Sequence, residues 1–468
     1  MSPLFSCRPF GRVFLIGLSA SSLLAIAGCG MSMQTAAPPV ATAGVTTLVN
    51  MGDAPADRVI DFEVTVGPIT LTPTSGSSVT VLSATRRIEL THLSGTNETL
   101  GLVKVPQGSY TGASITVSNP EIVFLNSLGQ TIKLEPTFNQ AVPVTFTPAL
   151  TVGAGMPVIN IDLNVANSLT FDSQGNVTGL NINTASFNLA TSIVAAQADQ
   201  EDENGELEDI KGTVSSVSGS SFTLTVATSG TPLTFTTDGN TQFKDGASLA
   251  LLANMVVTVE GRTLADGSLY AKEVESVESG DGAEVEGLIS HVTGNPATQL
   301  TFIADHGSGG GMDDSKTGAM FTIDVSKAGF KVDQSNLDTS GLGSLPSSPN
   351  FPFDAATVHS GQRVEIDSHH AVSGTSAVAE TVKLQQQTLS GTVSGLTRGA
   401  PTTFTLTVVP DSAFAILAGT TTITVYWQSG TDLNSLPHTL TNDDSVRVRG
   451  LLFFTGTKSN MIARRITP

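Results

Sequence analysis

A chain of 468 residues with 39% hydrophobic and 13% charged residues is long enough for several cores and poor in charge. Its formal net charge of −19, with 41 acidic against 22 basic residues and no basic stripe, excludes a surface built for nucleic acid, which needs clustered Lys and Arg. Two cysteines in all, Cys7 and Cys29, exclude a disulfide-rich scaffold and a cysteine-rich zinc site.

The first 28 residues read as a secretory signal. Arg8 and Arg12 precede the uncharged run Val13 to Gly28, which ends in small residues and is short for a membrane span. Ile26-Ala27-Gly28-Cys29 resembles the lipobox of bacterial lipoproteins, with Ile where Leu is commoner. The resemblance implies that Cys29 becomes the lipid-modified N-terminus of the mature protein, and its membrane partner follows from that. Two or more acyl chains hold a protein stably at a bilayer where one does so only marginally. Gly30, rather than Asp, follows the cysteine, which in enteric-type sorting implies the outer membrane, facing either the periplasm or the medium. Residues 29–44, small, polar and Pro-containing, read as a flexible tether.

From Val45 onward, short alternating strands follow one another. "DFEVTVGPITLTP" (Asp61 to Pro73) is the clearest, and turns such as Pro106-Gln107-Gly108 and Ser118-Asn119-Pro120 separate its successors. No amphipathic helix interrupts them, so residues 45–194 are expected to form a β-sandwich. Asp53-Ala54-Pro55 and Pro106-Gln107-Gly108-Ser109-Tyr110 resemble the "DAP" turn and "P-x-G-x-Y" strand entry of an uncharacterised bacterial lipoprotein domain. Asp53 and Asp57 are candidates for a cation or a sugar hydroxyl, although an Asp before such a turn more simply caps it.

Residues 195–209 hold seven acids between Asp199 and Asp209 and read as an acidic linker, without the spacing of an EF-hand loop. Beyond it the chain repeats. "IKGTVSSV" (Ile210), "VEGLISHV" (Val285) and "LSGTVSGL" (Leu389) share one pattern. Each is followed by an alternating strand, then by "VTVEG", "VEIDS" or "VRVRG", then by a last strand introduced by Ala. The unit resembles an uncharacterised bacterial family of small OB-like β-barrels. Three such barrels are expected at 210–278, 284–385 and 388–468. The second carries Ser368 where its neighbours have Gly, and two Gly/Ser/Pro-rich loop inserts, His306 to Gly318 and Ser335 to Asp354. "ASLALLANM" (Ala247 to Met255) is expected to be a short helical turn plugging the first barrel. The fold class is therefore all-β: an N-terminal sandwich followed by three OB-like barrels.

Catalytic signatures are missing. There is no G-x-S-x-G elbow, no phosphate-binding P-loop and no H-x-x-x-H pair on a helix. His359, Asp367, His369 and His370 are close in sequence but lack ligand spacing. No catalytic residue, metal or cofactor is assigned. Tyr426-Trp427 is the one pair of adjacent Tyr and Trp side chains, and strand alternation sends its rings to opposite faces. Trp427 is the ligand candidate, since a sugar stacks on an indole. The expected function is a non-enzymatic binding or structural module with a glycan or envelope protein as partner. The alternative is a protein that binds or acts on carbohydrate.

Overall fold

The computed structural model describes residues 44–54, 57–91, 97–194, 206–226, 232–244, 246–277, 282–312, 316–335, 337–433, 436–456 and 458–468. Residues 1–43, which hold the expected signal segment, Cys29 and all but the last residue of the expected tether, and residues 195–205 of the acidic segment lie outside them. Residues 42–468 form one compact unit. Among the described residues no helix is long and apolar enough to cross a membrane.

The fold is all-β, a sandwich followed by three barrels. One sandwich sheet runs Phe187–Ile193, Pro157–Asn164, Val45–Ala54, Glu98–Val105. The other centres on the long strands Val59–Pro73 and Gly108–Leu125. Alternation puts Phe62, Val64 and Val66 of the first long strand into the core, against Ile115, Phe124, Ile159 and Leu163. Asp53 and Ala54 end the strand Val45–Ala54, which runs parallel to Pro157–Asn164 on one side and antiparallel to Glu98–Val105 on the other.

The "P-x-G-x-Y" segment is a packing device. Tyr110 is 1% exposed, and its hydroxyl donates to the Pro106 carbonyl at 2.7 Å, four residues back. The ring fills the core while its one polar atom is satisfied locally. Tyr110→Phe, which keeps the ring and strands that carbonyl, should lower stability by about 1 kcal/mol in urea denaturation. A loss below the error of the measurement would mean that the bond contributes nothing.

All three barrels have the same strand order, 1-2-3-5-4-1, with strands 3 and 5 parallel and every other pair antiparallel. In the first, the strands are Glu206–Ser218, Ser221–Val226, Pro232–Thr236 (continued by Gln242–Lys244), Val256–Thr263 and Leu269–Ser276. The second repeats this with strands 3 and 5 each in two pieces. The third, Gln387–Thr397, Thr402–Val408, Thr422–Asp432, Ser445–Phe454 and Ser459–Thr467, is fully closed. This is the arrangement of the five-stranded Greek-key barrel.

The repeat signature has a steric cause. A Cβ on Gly212, Gly287 or Gly391 would fall 2.4, 2.0 or 2.4 Å from a carbonyl oxygen of the adjacent second strand. Gly261 and Gly450 play the same part in strand 4, where they meet strand 5 at a bulge that lets strand 4 continue. In the second barrel Ser368 occupies that position, and strand 4 stops there, with the serine hydroxyl turned onto the His370 carbonyl at 2.9 Å.

Local expectations are refined in three places. The first barrel strand starts at Glu206, inside the acidic segment, because Leu207 is needed in the core. "ASLALLANM" does plug its barrel with Ala247 and Leu252, but as successive tight turns rather than a helix. Its backbone bonds run i to i+3, which lets a short segment cross the barrel mouth. The Ser335 to Asp354 insert has loop backbone, yet Leu342, Phe351 and Phe353 fill the second barrel's core.

Apolar seams join the domains. Leu48, Met156 and Val158 of the sandwich share a cluster with the first barrel, and Leu451, Phe453 and Ile462 of the third share one with the second. Ile60, Val123 and Leu125 of the sandwich meet Ile303 of the second barrel and Ala413 of the helix Ala413–Ala418 of the third.

Candidate functional site

Strand alternation determines what each barrel shows to its neighbours. In "VTVEG", "VEIDS" and "VRVRG" the Val and Ile side chains point inward, leaving Thr258 and Glu260, Glu365 and Asp367, and Arg447 and Arg449 outside. In the folded chain Thr258, Glu260, Glu365, Asp367 and Arg449 turn toward one cleft of about 840 Å³, lined by all three barrels and by the sandwich residues Asp57, Val59, Ile60 and Thr91. Acidic side chains dominate the walls from the first two barrels, and Arg449 and Arg464 enter from the third.

The acidic wall is built from like charges set directly opposite one another. Glu260 is registered with Glu273, Glu284 with Asp367, and Glu286 with Glu365. Such pairs destabilise a bare sheet, and here lysines and an arginine are threaded among them. Lys383 reaches Glu275 of the first barrel at 3.2 Å and Glu365 of the second at 3.6 Å. Lys211 spans the same seam to Glu284 at 3.4 Å. Lys244 pairs with Glu273 at 2.5 Å and donates to Ser335 at 3.3 Å. Arg363 lies 2.5 Å from Asp305 and 3.5 Å from Glu286.

The titration behaviour follows this arrangement. Burial opposes the Lys383 charge, but Glu365 and Glu275 more than offset it, so the ammonium is held more firmly than in a free lysine. Burial pushes the Glu365 carboxyl well above the usual range, and Glu286, Glu284 and Asp367 add to that shift against Lys383. At the rim, burial raises Asp57 in spite of a hydrogen bond with Ser390 and the nearby Arg447. Its backbone carbonyl accepts from Ala413 at 2.7 Å, which ties the sandwich to the third barrel.

The cleft can therefore hold a polar, charged molecule through ion pairs and hydrogen bonds. Among the described residues no group of three or more His, Cys, Asp or Glu side chains is placed to hold a metal ion. His369 pairs with Glu380 at 2.6 Å, whereas His359 stacks on Phe454 at 3.9 Å, so the histidines do not converge.

Trp427 lies outside the cleft. Its half-buried ring packs on the third barrel's core, and the Arg398 guanidinium stands 6.0 Å from its centroid. Tyr426 points the other way and meets Phe351 edge-on at 4.8 Å. The adjacent rings do diverge, and both take part in packing. Asp53 lies at the end of its strand, and Cys29 lies outside the described residues. The cleft itself escapes a strand-by-strand reading. The signal that could have found it is the charged outer position repeated in "VTVEG", "VEIDS" and "VRVRG".

No curated protein matches the sequence. A solved structure named "drosophila Unr CSD456" aligns with 54% of this chain and 94% of its own at 12% identity, with a TM-score of 0.13, too loose a superposition to support any comparison. Residues 211–275, nearly the whole first barrel, match a family described as a domain of unknown function (DUF5666).

Proposed function

We propose that this chain is a non-enzymatic binding module of the bacterial cell envelope, anchored to the outer membrane by lipid on Cys29, that holds a polar, charged ligand in its central cleft. The convergence of all four domains on one charged cavity carries the binding part of this reading. The lipobox-like Ile26-Ala27-Gly28-Cys29 and the tether after it support the anchor. A glycan bound at Trp427 is the second reading, favoured by its half-buried indole beside Arg398.

Fractionation and binding assays test both parts. Cys29→Ser should abolish both lipid labelling and processing, and a variant that stays fully membrane-bound and is processed normally would overturn the anchor. The detergent-solubilised full-length chain would then be titrated calorimetrically against charged small molecules and glycans. Binding weakened at least tenfold by Glu286→Gln and untouched by Trp427→Ala supports the cleft. The opposite pattern supports the glycan reading, and no binding in either panel overturns the binding role.

A further inference from the structure

Next to the cleft lies a second charged site, buried between the sandwich and the second barrel. Its centre is Asp61, which is 0% exposed and whose two carboxyl oxygens have no hydrogen-bond partner. Strand alternation explains the position. Phe62 and Val64 point into the sandwich, so Asp61 and Glu63 point out of it, toward the docked barrel.

The groups around Asp61 are acidic on every side. Glu63 follows on its own strand, with Glu89 directly opposite on one neighbouring strand and Glu121 on the other. Asp305, also 0% exposed, approaches from the second barrel. The cations nearby pair with the other members of the group. Arg87 lies 2.7 Å from Glu63 and Lys133 2.7 Å from Glu121, while Arg363 takes Asp305 at 2.5 Å. Arg86 turns its guanidinium toward the Leu100 carbonyl. A buried carboxylate without donors, facing four other carboxyl groups, has no physical means of keeping its charge. No set of these acids is placed to hold a metal ion.

We propose that a proton on Asp61 closes this junction, making the docking of the sandwich on the second barrel pH-sensitive: tight while the acid is neutral and loosened as it ionises. Burial first, then Glu89, Glu63, Asp305 and Glu121, all push this carboxyl well upward, with no opposing cation among the main causes. The sign follows directly. Between the ordinary aspartate value, about 4, and the raised folded value, the folded chain holds a proton that the unfolded chain has lost. Stability from this group is complete below that window and falls as pH rises through it. The effect extends to the cleft, because Ile60, Leu288 and Ala413 belong both to the apolar seam at this junction and to the cleft lining.

Urea unfolding of the detergent-solubilised full-length chain, run from pH 4 upward for wild type and Asp61→Asn, tests the proposal. The asparagine keeps the shape and cannot ionise, and the other acids titrate alike in both proteins. Relative to Asp61→Asn, the wild-type folding equilibrium should fall about tenfold per pH unit across the window. Parallel pH profiles would overturn the proposal. If Asp61→Asn does not fold, an infrared titration from pH 4 upward of the Asp57→Asn, Asp162→Asn variant labelled with 13C-aspartate decides the matter: a protonated aspartate band that persists above the ordinary aspartate range supports it, and its loss within that range refutes it.

Discussion

Gly450→Ala should cost the third barrel about 3 kcal/mol or more, the upper end of what overpacking a close-fitted site produces. The new Cβ would stand 2.0 Å from the Ile462 carbonyl oxygen and 2.9 Å from its carbon. Both are main-chain atoms in the pairing of Ser445–Phe454 with Ser459–Thr467, so no side chain can rotate aside. Relief would require strand 5 to move, although strand 5 also pairs with strand 3 to close the barrel. The chain's single tryptophan, Trp427, lies in this barrel and reports its unfolding by fluorescence. Gly153, with open space where its Cβ would go, is the control, and Gly153→Ala should change stability by less than about 0.5 kcal/mol. A loss below about 1 kcal/mol for Gly450→Ala would show that the repeat glycine is not sterically required.

Arg363→Met should cost about 3–5 kcal/mol, the range for removing one partner of a buried ion pair. The Arg363 side chain is 14% exposed, and its guanidinium lies against the Asp305 carboxylate, whose side chain is 0% exposed, and near Glu286. Without it, the buried Asp305 carboxylate loses the guanidinium that it meets at 2.5 Å. The companion Asp305→Asn removes the charge that Arg363 serves. Arg363→Met combined with Asp305→Asn should therefore cost clearly less than the two single changes added together. Denaturation of the four proteins in one buffer measures this coupling, and strict additivity would show that the pair contributes nothing as a pair.

Much of the fold is legible in the sequence because period-2 alternation and turn residues are local signals. "DFEVTVGPITLTP" predicts its strand, and the repeated Gly-x-Val and V-x-V-x-Gly patterns predict the barrels, since their glycines mark places where two backbones nearly touch. Other features depend on docking. Asp61 reads as an ordinary outward residue of an alternating strand, yet it is fully buried in the folded chain. Phe351 and Phe353 stand in a stretch of Gly, Ser and Pro that suggests solvent, yet they fill a core. Glu286 and Glu365 are 79 positions apart, and nothing local shows that they stand side by side on paired strands of one cleft wall.

The strand Val45–Ala54 has a mechanical consequence. It is hydrogen-bonded along both edges, parallel to Pro157–Asn164 and antiparallel to Glu98–Val105. A pull along its axis, entering the chain at Val45, loads two ladders in shear, so many bonds must break together. A strand at the edge of a sheet would instead unzip one bond at a time. The sandwich is thus built to bear tension at the end of the chain that carries Cys29.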